Sequence, residues 1–477
     1  MSEFIADLAT GVWTPILFLL ILGGLFFFFY SRLMHYRYFS HTIAILRGKY
    51  HNPNDPGQIS PYEALSTAMA STVGMGNIAG VAAAISIGGP GALFWMWVTA
   101  FVGMSTNFFT STLSVMYRGK DSAGVIQGGP MYVIREALGP AWKPLSVLFC
   151  LCAMIGCLGI FQANQLTQAI IDIGFSETEF KNSTFAFLGF EISTMKFIIG
   201  SLLMTISGIV ILGGIQRIGS WAGKMVPLMI VIYFFCVFAI LIVNISVVPH
   251  YLWMIITEAF TANHYHGNPA LGGMLGGLIV AGVRRASFSN EAGIGTAPMA
   301  LGASQSTEPI REGLVSMISP AIDTLLVCTL TALAILVTGV WEVKGVSGVT
   351  LTANAFQMAL PGIGKYLLLL CAFFFAITSL FSYSYYGSKA LIFLFGVKTR
   401  ILTLGIAEIK TQRFYDVFYL ITIVVGAVAS LTDVMNVIDI AYALMAIPTM
   451  LSGFALAPKV MAEAKSYFKR MKEKGEV

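Results

Sequence analysis

The chain has 477 residues, of which 57% are hydrophobic and only 11% charged, with a formal net charge of +5. Soluble domains carry about 25% charged residues, so lipid is the solvent for most of this chain and a soluble enzyme or nucleic-acid binder is excluded. Six cysteines (Cys150, Cys152, Cys157, Cys236, Cys328 and Cys371) all fall in apolar runs, which speaks against a disulfide framework or a zinc cluster.

The N-terminus, "MSEFIADLATGVW", lacks the basic stretch of a cleaved signal, and its apolar run continues through "LFLLILGGLFFFFY". A first span is expected there and is expected to be retained. In chain order, apolar periodicity and length predict eleven spans, at 13–31, 61–88, 90–117, 145–172, 195–214, 221–247, 271–297, 313–340, 366–396, 413–431 and 434–458. Short amphipathic helices are expected at 128–139, where Pro130 starts and Gly139 stops the turn, and at 251–260 and 352–360 on the outer surface. No soluble domain is evident.

Lysine and arginine set the orientation. With the N-terminus outside, 24 of the 28 basic residues fall on the inner side, Arg284, Arg285, Arg311 and Lys389 among them, and only Lys181, Lys196, Lys344 and Lys365 remain outside. The C-terminus is then inside, and the basic tail after Lys459 reads as an anchor near anionic lipid.

Two spans are unusual. The first after the N-terminal helix holds "MASTVGMGNIAGVAAA", Met69 to Ala84, with glycines at 74, 76 and 80. Counted from there, the sixth holds "LGGMLGGLIVAGVRR", with Gly272, Gly273, Gly276, Gly277 and Gly282. Glycine weakens a helix interior by about 1 kcal/mol relative to alanine. Glycine-interrupted spans in corresponding places of two five-span halves point to an inverted-repeat transporter. Unwinding frees backbone groups, which lipid tolerates only where they are buried in protein or line a wet cavity. There they serve as ligands: N–H groups for a carboxylate, carbonyls for a cation. The bland alternative for "GNIAG" is small-residue helix packing. "GMGNIAG" is one residue too long for a dinucleotide fingerprint and follows no strand.

The run "GGPGALFWMWVTAFVGMST" (Gly88 to Thr106) resembles the signature of the sodium:alanine/glycine symporter family, and "TVGMGNIAGVA", "GGPMYVIREALG" and "FSNEAGIGTAPMA" resemble further blocks of it in the expected order. The resemblance implies an all-α polytopic protein of LeuT-like fold: two inverted five-helix repeats, 60–250 and 251–458, after an extra N-terminal helix and its connection in 1–59, with a basic cytoplasmic tail at 459–477. It implies sodium-coupled uptake of alanine or glycine, in some members also D-alanine, across the cell (inner) membrane, with a monomer expected as the working unit and nucleic acid excluded as a partner.

A similar Val-Gly-x-Gly-Asn run marks the more distant neurotransmitter:sodium symporters. Carried onto this chain, that likeness places the backbone of Gly74 and Gly76 against the substrate carboxylate. Thr72, Asn77, Gly276 and Gly277 are expected to line the same pocket, and Asn77 shapes the unwound turn or a sodium site. The co-transported sodium ion would take carbonyls of Ala70 and Val73, the hydroxyls of Thr378 and Ser379 and the Phe375 carbonyl. Such an all-oxygen set suits a hard cation, although hydroxyls on a helix also bond their own backbone. Met75 departs from the threonine or small residue that many members hold between the two glycines, and its flexible thioether bears on specificity.

The remaining candidates come from polarity inside spans. Phe161, Gln162 and Gln165 share one helical face. Phe161 is expected to close the pocket, and Gln162 or Gln165 to bond the substrate, unless those amides serve helix packing alone. Asp323 is an intramembrane acid, with two readings: ion coupling, or an inner gate paired with Arg284 or Arg285. Asn290 and Glu291 are expected to cap a helix end near the inner surface and to contribute to gating. His264 and His266 read as loop residues. Proton coupling through Asp323 is the rival within the transporter class. A channel would show a continuous polar stripe and a receptor a signalling domain, and neither is present. No HExxH, GxSxG or P-loop points to an enzyme.

Overall fold

In the computed structural model, the described residues are 2–175, 183–187, 190–267, 273–343, 345–399 and 409–476. Gly272 of the glycine-rich sixth span and the outer lysines Lys181 and Lys344 lie outside them, as does Arg400, one of the 24 inner basic residues. The described residues are mostly helical. Among the described residues three two-stranded antiparallel ribbons occupy connections, pairing Gly119–Lys120 with Ile126–Gln127, Thr184–Phe187 with Phe190–Ser193, and Lys398–Thr399 with Ile409–Lys410.

Helix α1 (Ser2–Tyr30) precedes α2 (Pro61–Thr72). The start of α2 is fixed by a capping box: Ser60 Oγ accepts from the Glu63 N–H at 3.3 Å, Glu63 Oε2 accepts from the Ser60 N–H at 3.0 Å, and Pro61 takes the first helical position. After a break, a π-helical turn (Gly76–Gly80) leads into α3 (Val81–Gly88), and the pair α2 and α3 is bent by 43°. There follow α4 (Ala92–Met116), α5 (Lys143–Gly156), α6 (Ile160–Gly174), α7 (Thr194–Ile211), α8 (Gly214–Val243) and α9 (Val248–Thr261). The second half holds α10 (Gly273–Asn290), α11 (Thr296–Leu301), α12 (Pro309–Ser316), a π-helical turn (Ala321–Cys328) running into α13 (Thr329–Val337), α14 (Gly348–Ala359), α15 (Gly364–Phe395), α16 (Thr411–Val428) and α17 (Leu431–Glu473).

Among the described residues eight helical segments are long and apolar enough to cross a bilayer, or nine if the bent pair is one span, against the eleven expected. The expected spans at 271–297 and 413–431 correspond to α10 and α16. Helix α10 carries Arg284 and Arg285, and α16 opens on "TQRFYD", so both fall short on apolarity. The expected span at 145–172 is interrupted at Cys157–Gly159, between α5 and α6.

Helix α1 packs along α17 and α4 through a column of rings, with Phe27 stacked on Phe109 at 4.6 Å and on Phe454 at 5.1 Å. At the other end of α17 the basic tail does not hang free. It continues the helix to Glu473 and docks on the segment Phe39–Leu46, where His41 Nε2 lies 2.7 Å from Tyr467 OH. The helix expected at 352–360 is not superficial. Most of α14 is buried, and Thr352 Oγ1 donates to the Ile78 carbonyl at 3.1 Å, so α14 lies on the first π turn.

Candidate functional site

The first break is held by one side chain and one short backbone bond. Asn77 Oδ1 accepts from the Gly74 N–H at 2.8 Å, and the Asn77 N–H turns to the Gly74 carbonyl at 3.1 Å. In a continuous helix those two N–H groups would serve the carbonyls of Ala70 and Val73. The Asn77 side chain thus diverts the Gly74 donor and a three-residue backbone bond takes the Asn77 donor, so the residues expected to lend carbonyls to a cation are the two that lose these helical partners. Gly74 is required by its neighbour: a Cβ there would fall on Ser379 Oγ, with the Phe375 carbonyl at 3.6 Å. The break therefore faces Ser379 and Phe375 on α15 directly. Ser379 Oγ and Thr378 Oγ1 donate to their own helix, at 2.9 Å to Phe375 and to Phe374, and Thr378 also meets Met229 Sδ at 3.5 Å. Thr378 turns toward α8, so of the two hydroxyls Ser379 is the one against the break.

The Asn77 Nδ2 group reaches the second π turn. It donates to Asp323 Oδ1 at 2.6 Å and to the Asp323 carbonyl at 3.1 Å, with Cys328 Sγ at 3.3 Å. Asp323 Oδ2 accepts from Ser289 Oγ at 2.9 Å and Thr324 Oγ1 at 2.7 Å. The two π turns thus meet through an Asn–Asp pair that also holds the end of α10. Local π geometry is rare and gathers at functional sites.

Asp323 is not paired with either arginine. Arg284 Nε and Arg285 Nη2 both donate to Asp439 Oδ2 on α17, at 2.8 and 3.0 Å. Both arginines lie within α10, half-buried and buried, rather than in an inner loop, so they are withdrawn from the inner basic tally. The reason is geometric: α10 and α17 run side by side, so Arg285 meets Asp439, Phe288 meets Tyr442 (rings 5.9 Å apart) and the Ile294 carbonyl meets Thr449 Oγ1 (3.0 Å).

The second break is not at Gly273–Gly277. From Gly273 to Asn290 the helix is continuous, and it ends at "NEAGIG", where Glu291, Gly293 and Gly295 have φ of +53°, +84° and +107°. Gly276 and Gly277 sit instead at the far end of α10, Gly277 under the Tyr265 ring. About twelve residues separate Gly277 from Ser289, roughly 18 Å of helix, so neither glycine lies at the junction of the two breaks. The real break lies against the first one: a Cβ at Gly76 would be 3.5 Å from the Phe288 ring and from Ser289 Cα.

Glu291 is no surface cap. It is 1% exposed and accepts from Tyr383 OH at 2.6 Å, Tyr442 OH at 2.9 Å, Ser71 Oγ at 3.4 Å and Thr296 Oγ1. Its carboxylate ties α2, α15, α17 and the start of α11 together at the second break.

Phe161 packs edge-on against Phe288 at 4.9 Å, which in turn covers Gly76. The two candidate glutamines separate. Gln165 Oε1 accepts from the Val349 N–H at 3.2 Å and its Nε2 donates to Asn164, so it braces the start of α14. Gln162 is buried, and its Oε1 has no hydrogen-bond partner among the described residues. Thr72 Oγ1 bonds its own helix at Met69 and lies 3.4 Å from Ser319 Oγ. Met75, Gly76, Asn77, Phe161 and Gln162 are all buried. Sequence reasoning missed Ser289, Tyr383, Tyr442 and Asp439. Asp439, a second intramembrane acid, was open to the rule that singled out Asp323.

Two broken helices meeting at the buried centre of a many-span helical protein define a membrane transporter fold of the LeuT-like kind. A solved structure described as MhsT in complex with L-phenylalanine shares it, with a TM-score of 0.58 over 86% of this chain and 93% of that one, at 13% identity. Residues 1–477 match the sodium:alanine symporter family, and the chain belongs to that family. It is 34% identical to the sodium/alanine symporter AgcS of Methanococcus maripaludis over 96% of this chain and 95% of that one. It is 30% identical to a probable sodium/glutamine symporter, GlnT, of Bacillus subtilis, over 98% and 91%. This is a multi-pass cell-membrane protein of a transporter family that contains amino-acid carriers.

Proposed function

We propose that this chain carries a small neutral amino acid, alanine or glycine, into the cell together with sodium by alternating access. The observation that carries the reading is the first break. There the Gly74 and Asn77 N–H groups turn away from the Ala70 and Val73 carbonyls, beside Ser379 and the Phe375 carbonyl, and these are oxygens of the kind a hard cation takes. Eleven spans, arranged as one leading helix and two inverted sets of five, with the N-terminus outside and the C-terminus inside, complete the proposal. The two helix breaks at corresponding places support the repeat, and the basic tail supports the orientation. Sodium binds first and holds α2 against α15. The substrate carboxylate then meets the backbone at Gly74 to Gly76, under the lid formed by Phe161 and Phe288. Gln162, whose Oε1 lacks a partner, is favoured over Gln165 for bonding the substrate. The buried setting of these residues supports a closed, occluded arrangement.

The test is uptake of labelled alanine, glycine, serine and glutamine into proteoliposomes under an inward sodium gradient. Sodium-dependent uptake competed by alanine or glycine is expected. Absence of alanine and glycine uptake, or uptake indifferent to sodium, would sink the proposal. Proton coupling is the second reading, because Asp323 is held at the junction of the two breaks. Uptake by Asp323→Asn that keeps its sodium dependence and loses any response to a proton gradient would assign Asp323 to proton movement.

A further inference from the structure

At the basic end of the molecule, the turn after α1 and the tail of α17 enclose a cavity of about 830 Å³. Five cations line it: Arg32 and Arg37 from the turn, and Lys465, Lys469 and Lys472 from the tail. All five are exposed, and among the described residues none has a carboxylate within ion-pair distance. Glu473 is the single acid in the lining. The other side of the lining is apolar. Tyr30, Met34, Met461 and Phe468 contribute to it, and Tyr38 stacks on Phe468 with ring centres 3.5 Å apart.

The geometry is built rather than incidental. The turn holds Arg32 and Leu33 at φ of +52° and +58°, two successive residues in the left-handed region that side chains disfavour. Along the tail, Met461, Lys465, Phe468 and Lys472 recur at helical spacing, so one stripe of the helix alternates apolar and cationic groups toward the cavity. The neighbouring stripe, with Ala464, Tyr467 and Met471, is buried. Tyr467 is fixed there by His41 and by Arg311 Nε at 3.2 Å. Above the cavity, α1 presents Phe26, Phe29 and Leu22, all exposed, on a segment apolar enough to face acyl chains. A ligand seated here meets cations at one end and hydrocarbon at the other.

We propose that this cavity binds an anionic diacyl phospholipid, its phosphate among Arg32, Arg37 and the three tail lysines, its glycerol and upper acyl carbons over Tyr38 and Phe468. The bound lipid joins the tail to α1 as a structural ligand. The proposal does not depend on the transport reading.

The experiment uses the full chain, purified in detergent and stripped of lipid. Retained lipid is read by intact-protein mass spectrometry and stability by thermal unfolding. The probes are dioleoyl phosphatidylglycerol, dioleoyl phosphatidylcholine, dihexanoyl phosphatidylglycerol and inorganic phosphate. Expected is a one-to-one adduct and a rise in Tm with dioleoyl phosphatidylglycerol alone. A surface cation contributes about fivefold to anionic-lipid affinity, so the variant Lys465→Gln/Lys469→Gln/Lys472→Gln is expected to bind on the order of a hundredfold more weakly. Arg32→Gln/Arg37→Gln, which leaves the tail intact, is expected to lose affinity likewise and guards against misfolding of the first variant. An equal shift with phosphatidylcholine, full reproduction of the shift by inorganic phosphate, or unchanged binding in both variants would overturn the proposal.

Discussion

At the scale of single residues, the close approach at Gly74 is the sharpest constraint. A methyl group there lands on Ser379 Oγ, and overpacking a tight site costs about 1–3 kcal/mol. Gly74→Ala is therefore expected to lower Tm and abolish uptake. Ser379→Ala in the same chain removes the obstructing atom. The double variant should regain most of the lost stability, and its uptake should stay weakly responsive to sodium if Ser379 supplies an ion ligand. A double variant no more stable than Gly74→Ala alone would show that the contact is not there. The two glutamines offer a second contrast. Gln165→Ala leaves the buried Val349 N–H without its acceptor, a loss of about 1–3 kcal/mol that thermal unfolding should detect. Gln162→Ala forfeits no hydrogen bond to its Oε1. It should lower Tm less than Gln165→Ala does, by the cavity it leaves, and raise the KM for uptake. The reverse pattern would exchange their roles.

At the scale of elements, the sequence made the first break legible and misplaced the second. Gly74, Gly76 and Asn77 stand together inside one apolar run, and there the amide itself rewires the backbone. In the sixth span glycine has two uses that composition does not separate. Gly277 and Gly282 are small because Tyr265 and the Ala92 carbonyl press against them, whereas Gly293 and Gly295 are glycines because φ is positive. Only the fold distinguishes the two. The same holds for Glu291: next to a helix end it reads as a cap, and its four hydroxyl partners come from parts of the chain up to 220 residues away. If that carboxyl group pins the second break, Glu291→Ala should destabilise the protein strongly, because Tyr383 and Tyr442 lose their acceptor in a dry setting. A double-mutant cycle tests the coupling. Tyr383→Phe should cost much less in the Glu291→Ala background than in the wild type, and equal costs would dissolve the proposed tie.

At the scale of the whole molecule, the pairing of Arg284 and Arg285 with Asp439 bears on which way the centre opens. The arginines lie five or six residues before Asn290, roughly 8 Å from the second break along α10, on the side toward Gly273. Beside them, Phe161 and Phe288 close over Gly76. In the proposed topology that side is the outside, so the ion pair and the ring pair together form an outer closure rather than the inner one expected from sequence. Asp439 and Arg285 are both buried, and removing one partner of a buried pair costs about 3–5 kcal/mol because the other charge stays in place without water. Asp439→Asn imposes that loss on the closed arrangement, while an opening that hydrates both guanidinium groups escapes it. The population should then shift by orders of magnitude toward the outwardly open form. The expected readout is faster hydrogen exchange in Gly76–Gly88 and Gly348–Ala359, with alanine binding in detergent retained and net uptake reduced. Adding Arg284→Gln and Arg285→Gln removes the stranded charges and should slow exchange again. Exchange and uptake both unchanged in Asp439→Asn would remove the pair from the closing mechanism and leave it as packing between α10 and α17.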